Sequence, residues 1–365
     1  MKTVLSALWL LSLILSQEAG RHPRVIRGAK VYRAVRDPRD LVRFAKSLGL
    51  NTLFVGDQLA ASLPFRQECQ KAGLQYFLII RIFNDPEAAA DDATMISVDR
   101  EGRQGRRGDD VMISPAREDF RRIKRERIRA AIERLKPDGV TLDYFRYFIY
   151  WEGVDPKTGP LNFPAFSFDR ASVEDFVRAT GLPLKPDLPP GTQEVPRALI
   201  DRIWNHHREA WYRWRVERLV EDAQEFTSFI RQQFPELPIV LHAVPWTRDE
   251  FGGAREKIVG QDLRRLAPFF DYVSPMEYSA LTRRGPGWVE RLNRNLVAEV
   301  PAAKLLPSVE VGPDGPQFPL MSLEDYESDL IAARKASAGL VLYHLELLLD
   351  DPARQDITKR LIGGR

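Results

Sequence analysis

Four carboxylic acids follow apolar stretches that are typical of buried β-strands: Asp143, Glu277, Glu310 and Glu346. Side chains alternate between the two faces of a strand, so Asp143 points away from the face formed by its apolar neighbours Val140 and Leu142. Two carboxyl groups facing one cavity can cleave a glycoside, because one protonates the leaving oxygen while the other attacks the sugar or activates water. We therefore take Asp143, with Glu277 or Glu310, as candidate catalytic residues.

Aromatic and basic residues lie near these acids in the sequence. The candidate substrate-binding residues are Tyr144, Arg146, Trp151, His242, Trp246, Tyr278 and Tyr343. Aromatic faces offer flat apolar surfaces on which sugar rings can pack. Arg146 can bind hydroxyl groups or an acidic group. His242 is equally consistent with a buried histidine that only supports the core.

Each acid also has a purely structural interpretation. Asp143 can cap the loop that follows its strand, because aspartate is common in turns. Glu346 precedes a run of leucines and can begin a helix, while Glu310 precedes the loop that starts at Val311. Which acid donates the proton stays open. A separation of about 5–5.5 Å between the paired carboxyl groups predicts retention, and one of about 6.5–9.5 Å predicts inversion.

The elements that must position these residues alternate between strand and helix eight times. Predicted strands cover residues 25–35, 51–56, 74–83, 138–143, 238–244, 272–279, 304–311 and 338–348. Eight such units predict a parallel sheet closed into a (β/α)8 TIM barrel, an α/β fold whose chemistry lies at the carboxyl ends of its strands. A Rossmann-type sheet is the alternative, but it needs a glycine-rich turn after the first strand, where only Gly28 occurs.

A long proline- and aromatic-rich insertion, residues 148–202, follows the fourth strand. Loops of this length are usually functional. Residues 84–115, which show no apolar periodicity, are predicted to form a second long loop. We expect residues 20–365 to form a single barrel domain that includes the insertion.

Composition excludes several classes of function. The chain has 365 residues, with 54 Lys and Arg against 51 Asp and Glu, so its near-neutral charge gives no reason to expect a nucleic-acid partner. The lone cysteine, Cys69, cannot form an intramolecular disulfide, and no Cys/His cluster has zinc spacing. No Walker-type phosphate loop or G-x-S-x-G motif is present. We therefore expect no metal and no cofactor.

The first 19 residues predict export. Lys2 precedes an apolar run over residues 4–15, which is the order of a secretory signal peptide and is short for a transmembrane helix. An uncleaved membrane anchor is the alternative. We expect a secreted or periplasmic protein with no stable membrane insertion after cleavage.

The segment 138–147, DGVTLDYFRY, resembles the fourth-strand motif of the bacterial glycosyl-hydrolase-like proteins called family 10-like. Residues 112–117, 166–181 and 273–278 are similar to other segments of that family, so the resemblance spans about residues 25–350. It implies a (β/α)8 barrel and carbohydrate-active chemistry on an exported protein, in a family whose members mostly lack a demonstrated substrate.

By position, Asp143 matches the fourth-strand acid of that family, and Glu277 falls within its sixth-strand motif. Glu310 would match the seventh-strand nucleophile of the broader retaining-glycosidase clan. That clan has an Asn-Glu pair after the fourth strand, whereas this chain has Leu142-Asp143.

The sequence therefore predicts an exported glycoside hydrolase that acts on a polysaccharide or cell-envelope glycan. A non-catalytic glycan-binding protein on the same barrel is the rival hypothesis, and it would lack a second acid facing Asp143. A lyase or isomerase would need a lysine or a metal cluster, which the strand ends do not show. The oligomeric state stays open.

Overall fold

The computed structural model describes residues 25–56, 59–159, 166–184, 188, 194–312, 315, 319–335 and 338–363. The predicted signal peptide, residues 1–19, lies outside these residues. In the described part of the chain no helix is both long enough and apolar enough to span a bilayer.

Eight parallel strands form a closed barrel, which confirms the predicted (β/α)8 fold. Strand β1 pairs with both β2 and β8, and the pairing of Ile26 with Gly339 closes the ring. The strands are β1 Ile26–Val31, β2 Thr52–Val55, β3 Gln75–Arg81, β4 Gly139–Asp143, β5 Ile239–Ala243, β6 Tyr272–Glu277, β7 Ser308–Glu310 and β8 Gly339–Tyr343.

The strands bury both of their faces. Inward-facing side chains fill the lower part of the barrel and form one apolar cluster: Ile26, Phe54, Phe77, Ile79, Val240, Leu306 and Val341. The outward faces pack against the helices in a second, larger cluster. Strands buried on both faces are rich in apolar residues throughout, which is why they stand out in the sequence.

Twelve helices are assigned within the described residues: α1 Pro38–Ser47, α2 Leu63–Lys71, α3 Pro86–Asp91, α4 Glu118–Leu135, α5 Arg170–Thr180, α6 Arg197–His206, α7 Arg208–Gln233, α8 Ala254–Lys257, α9 Leu263–Leu266, α10 Trp288–Leu296, α11 Leu323–Lys335 and α12 Pro352–Thr358. Local sequence sets their ends. The Asp37 carboxylate accepts a hydrogen bond from the Arg39 N–H at the start of α1, with Pro38 as the first helical residue.

Several predicted boundaries differ from the structure. The predicted loop 84–115 contains α3 and a two-stranded antiparallel pair, Arg106–Arg107 with Asp110–Val111. The eighth strand is predicted to reach residue 348. In the structure it ends at Tyr343, and a 3-10 turn, Leu345–Leu348, follows it. Glu346 therefore begins a helical turn, as its structural interpretation proposes.

The insertion, residues 148–202, contributes α5 and α6. Their apolar faces pack with the start of α7 around the rings of Phe168, Phe176, Trp211 and Trp214. Phe168 stacks on Trp211 with 4.5 Å between ring centroids. The insertion thus builds an apolar cluster of its own beside the barrel.

Candidate active site

A cavity of about 420 Å³ lies at the carboxyl end of the barrel. It contains six of the predicted site residues: Asp143, Tyr144, Arg146, Trp151, Tyr278 and Tyr343. Seven further residues with polar groups, which the sequence analysis did not select, line the same space: Lys30, Tyr32, Arg33, Arg81, Asp110, Glu152 and His344.

Asp143 ends β4 and lines the cavity, as the alternation of strand side chains predicts. The backbone N–H of Tyr144 donates to Asp143 Oδ1 at 2.8 Å, and His242 Nδ1 lies 3.1 Å from the same oxygen. Burial by itself would raise the pKa of Asp143. His242, Lys30 and the Tyr144 N–H outweigh burial and hold the pKa of this carboxyl well below its usual range. Asp143 is therefore a carboxylate at neutral pH.

Lys30 lies on β1 and is fully buried, with 1% of its surface exposed. Its Nζ donates to the hydroxyl of Tyr278 at 2.9 Å and sits over the rings of Tyr278 and Tyr343, 5.6 and 5.7 Å from their centroids. Burial lowers the pKa of Lys30 to about 7, although the charge of Asp143 opposes this effect. The cavity therefore holds a lysine that titrates near neutrality.

Glu152 belongs to the 3-10 turn Trp151–Gly153, which the chain forms after leaving β4. It lines the same cavity as Asp143. Burial raises the pKa of Glu152, and the nearby Arg146 only partly opposes this rise. The cavity thus combines an ionised carboxylate with a carboxyl group whose pKa is raised.

The loop before α4 supplies Asp110. The Tyr144 hydroxyl donates to Asp110 Oδ2 at 3.0 Å, and the Asn84 amide donates to the other oxygen. Arg81 lies at 4.0 Å from Asp110. These contacts connect the cavity wall to β3 and to the residue that follows Asp143.

Glu277 is not among the residues that line the cavity, so the structure does not place it beside Asp143 as the predicted pairing expects. Met276 and Tyr278 both line the cavity, so Glu277 between them points to the opposite face of the strand. It is fully buried there, and the Asn293 amide on α10 donates to its Oε2 at 3.0 Å. Burial raises the pKa of Glu277 well above its usual range.

Glu310 is likewise not among the residues that line the cavity. It ends β7, and its carboxyl accepts a hydrogen bond from the Leu281 N–H at 3.0 Å, in the loop after β6. Burial raises the pKa of Glu310 to about 7. Neither predicted partner of Asp143 therefore shares its cavity.

Two of the predicted substrate-binding residues are also buried away from the cavity surface. His242 is 2% exposed and reaches the cavity only through Asp143. Burial lowers the pKa of His242, and the charge of Lys30 lowers it further. Trp246 is 1% exposed and packs on Phe251 with 5.0 Å between ring centroids. It belongs to the core.

Of the cavity residues that the sequence analysis did not select, one could have been predicted from the strand pattern and two could not. Lys30 follows Ile26 and Gly28 at every second position of β1, so its inward direction could be predicted by alternation. Glu152 lies in a 3-10 turn of three residues and Asp110 in a strand of two residues, and both elements are too short for a periodicity that indicates which way a side chain points.

The described residues include one group of acids whose ligand atoms lie within 4.8 Å of one another: Glu256, Asp262 and Glu299. None of them lines the cavity. Arg248 binds Glu256 and Arg255 binds Glu299, so two of these acids already have cationic partners.

The chain is similar in fold to solved glycoside hydrolases. The PgaB (BpsB) glycoside hydrolase domain from Bordetella bronchiseptica matches with a TM-score of 0.68 and 12% identity, over 93% of this chain and 100% of that chain. The beta-galactosidase from the psychrophilic Marinomonas ef1 matches with a TM-score of 0.64 and 12% identity, over 92% of this chain and 58% of that chain. The beta-galactosidase from Bacillus circulans sp. alkalophilus matches with a TM-score of 0.65 and 10% identity, over 93% of this chain and 56% of that chain.

This chain therefore spans somewhat more than half the length of either galactosidase. No family model matches the sequence, and no curated protein is similar to it. The comparisons support the (β/α)8 barrel fold, and the resemblance to the family 10-like proteins stays a prediction.

Proposed function

We propose that this protein is an exported glycoside hydrolase that cleaves a polysaccharide or cell-envelope glycan, with Asp143 and Glu152 as its two catalytic carboxyl groups. One observation carries this proposal: both groups line a single cavity at the carboxyl end of the barrel. Export rests on the signal-like sequence of residues 1–19.

The surroundings of the two acids suit different roles. Glu152 is the proton donor, because burial favours its neutral form. As the glycosidic C–O bond breaks, the Glu152 proton passes to the leaving oxygen. The Asp143 carboxylate then either bonds to the anomeric carbon or takes a proton from the water that attacks it. The second route inverts the anomeric centre. In the first route water then displaces Asp143 from the anomeric carbon, with Glu152 taking the water proton, and the two displacements together retain the configuration.

Aromatic rings line the space where the sugar would bind. Tyr278 and Tyr343 stack with 4.1 Å between centroids, and Trp151 lies 5.9 Å from Tyr278. These contacts restrict the motion of the rings, and they give the cavity apolar surface beside its charged groups. A sugar ring has both kinds of surface, with C–H groups on its faces and hydroxyl groups at its edge.

Hydrolysis of a panel of bacterial and plant glycans tests this proposal. We expect reducing ends with the wild type and a loss of about 100-fold or more in Asp143→Asn and in Glu152→Gln. Glu126→Gln on the exposed face of α4 is the control and should match the wild type. Equal activity in Asp143→Asn and wild type would remove Asp143 from the mechanism.

The rival is a glycan-binding protein without catalysis. It would bind a glycan of the panel and release no reducing ends, either as the wild type or as the Asp143→Asn and Glu152→Gln variants. Isothermal titration of the same panel, compared with the reducing-end assay, separates the two hypotheses, because both proteins must bind a glycan but only the hydrolase releases reducing ends.

Lys30 favours a second candidate function, a lyase or isomerase that acts through an imine. A lysine with a pKa near 7 is partly neutral, and its Nζ can add to a substrate carbonyl and expel water. Cyanoborohydride with small keto and aldo acids tests this function. A reduced adduct on Lys30, identified by mass spectrometry and absent from Lys30→Met, would favour it over hydrolysis.

A further inference from the structure

We infer that the sugar bound in this cavity carries an anionic group, as a uronic acid or a sulfated sugar does, and that Lys30 and Arg146 bind that group. The inference rests on the proposed function for the choice of a sugar. It adds the class of substrate.

Lys30 is a buried cation with few partners. Its hydrogen bond goes to the neutral hydroxyl of Tyr278, and among the described residues it forms no ion pair within 4.0 Å, although the charge of Asp143 acts on it from a longer distance. Burying a charge is costly unless an opposite charge or several hydrogen bonds compensate. Because Lys30 lines the cavity, an anion entering there would supply the missing partner.

Arg146, three residues after Asp143, is also a buried cation without a carboxylate partner in the described part of the chain. It is 6% exposed, its Nη1 donates to the carbonyl oxygen of Ile149 at 3.0 Å, and its guanidinium lies 4.9 Å from the centroid of the Tyr144 ring. Within the described part of the chain it forms no ion pair. A guanidinium offers several donors in one plane, which suits a carboxylate or a sulfate.

Two of the acids that line the cavity, Asp110 and Asp143, already accept hydrogen bonds from protein groups. Lys30 and Arg146 form no ion pair within the described part of the chain, so their charges can bind an anionic ligand. Cations that line a cavity attract ligands of the opposite sign.

The dimensions and aromatic lining argue for an acidic sugar instead of a free inorganic anion. A volume of about 420 Å³ is within the usual range for pockets that hold an organic ligand. Lys30 Nζ lies 5.6 and 5.7 Å from the ring centroids of Tyr278 and Tyr343, so an anion bound to Nζ lies close to this stacked pair. A charged group attached to a sugar ring satisfies both features at once.

Matched ligands test this inference on the full chain. Uronic-acid oligosaccharides (galacturonate, glucuronate and alginate types) are compared by calorimetry with the same oligosaccharides after reduction of their carboxyl groups to alcohols. A sulfated form of the neutral oligosaccharides is the third arm. We expect an acidic form to bind at least about tenfold more tightly than its neutral counterpart at low salt. The carboxylate and sulfate arms identify which anion the cavity prefers.

Variants then locate the preference. Arg146→Gln and Lys30→Met should each reduce it by about tenfold, while Arg197→Gln, which removes an exposed cation on α6, should leave it unchanged. Equal affinity for acidic and neutral forms, no binding of any acidic form, or a preference that survives both cavity variants would overturn the inference. If a variant fails to fold, the wild-type ligand pairs still decide.

The same ligands separate this inference from the proposed function. Tight binding of an acidic form without release of reducing ends would refute the hydrolase and leave the inference standing. Efficient hydrolysis of neutral glycans without preference for an acidic form would do the reverse.

Discussion

Asp143 and Glu152 differ in what surrounds their carboxyl groups, and this difference determines their protonation. Asp143 has a histidine ring nitrogen at 3.1 Å and a backbone N–H donor at 2.8 Å, so its ionised form is favoured. Burial favours the neutral form of Glu152. Two carboxyl groups in one cavity whose pKa values are displaced in opposite directions can act as acid and base at the same pH.

Substitution of Glu277 tests which acids act in catalysis. We expect Glu277→Gln to keep its activity within about twofold of wild type, because this side chain lies outside the cavity, whereas Glu152→Gln should lose about 100-fold. Glutamine also resembles the protonated acid that burial favours here. Steady-state hydrolysis by the two variants provides the comparison, and a large loss in Glu277→Gln would return Glu277 to the mechanism.

Glu310 should make stability fall as the pH rises. Its pKa is about 7 in the folded protein against an ordinary value of 4.5, so folding binds a proton in this interval. The contribution to stability is present below about pH 4.5 and is lost as the pH rises through 7, by about 3 kcal/mol in total. Glu310→Gln should therefore raise the free energy of unfolding relative to wild type more at about pH 8 than at about pH 5.

Urea unfolding at both pH values measures this effect. Glu126→Gln, an exposed acid paired with Arg129, is the matched control and should show no such pH-dependent gain. An equal change at both pH values for Glu310→Gln would show that the carboxyl does not titrate in this range.

The cavity-facing direction of Asp143 could be predicted from sequence, but the presence of Glu152 in the same cavity could not. Alternation shows that Glu277 faces away from Met276 and Tyr278, yet both faces of β6 are buried. The apolar pattern therefore does not reveal which face is the inner one. Glu152 lies nine residues beyond Asp143 on an irregular turn, where neither alternation nor helical spacing applies.

At the scale of elements, the insertion forms an apolar cluster together with the start of α7. Phe168 stacks on Trp211, and Phe176 packs edge-on against the same indole ring at 4.8 Å. The stacked pair lies between the loop that precedes α5 and the start of α7. The insertion is thus attached to the barrel through α7, whose Leu219, Phe226 and Ile230 belong to the main apolar cluster around the barrel.

Removal of the Phe168 ring should loosen this attachment. We expect Phe168→Ala to lower the free energy of unfolding by about 3–5 kcal/mol, because a ring that is 1% exposed leaves a cavity. The tryptophans of the cluster should report the change by fluorescence. Leu323→Ala, an exposed truncation on α11, is the control and should cost less than about 1 kcal/mol. Equal losses in both variants would contradict a packed cluster.

Elements with strong periodicity were predictable, and irregular ones were not. Helix α4 spans Glu118–Leu135, as its apolar spacing predicts. The predicted loop 84–115 instead contains a helix of six residues, Pro86–Asp91, which is too short to show helical periodicity. Its start is nevertheless encoded locally, because the Asp85 carboxylate accepts the N–H of Ala88 next to a proline.

At the scale of the whole molecule, eight strand–helix units predict a closed barrel, and the structure closes where β8 meets β1. Closure brings the ends of distant strands together: Lys30 from β1 contacts Tyr278, which follows β6, across the barrel. The sequence shows that such ends converge. It does not show which loops cover them, because loop conformation depends on contacts between residues far apart in the chain.

Gly339 tests how far the cavity depends on closure. A side chain at this position would overlap the backbone of Ile26, at the first pair of the β1–β8 ladder, and backbone atoms cannot move aside as a flexible side chain can. We therefore expect Gly339→Ala to lose more than about 3 kcal/mol of stability, above the usual cost of overpacking. Gly285→Ala is the control, because a methyl group there meets no atom within 4 Å.

Tyr343 lies at the other end of β8 and lines the cavity, so glycan binding should weaken in parallel with stability. Thermal unfolding and titration of the same samples measure both quantities, and a Gly339→Ala protein as stable as the Gly285→Ala protein would show that the barrel accommodates the methyl group by shifting β1 against β8.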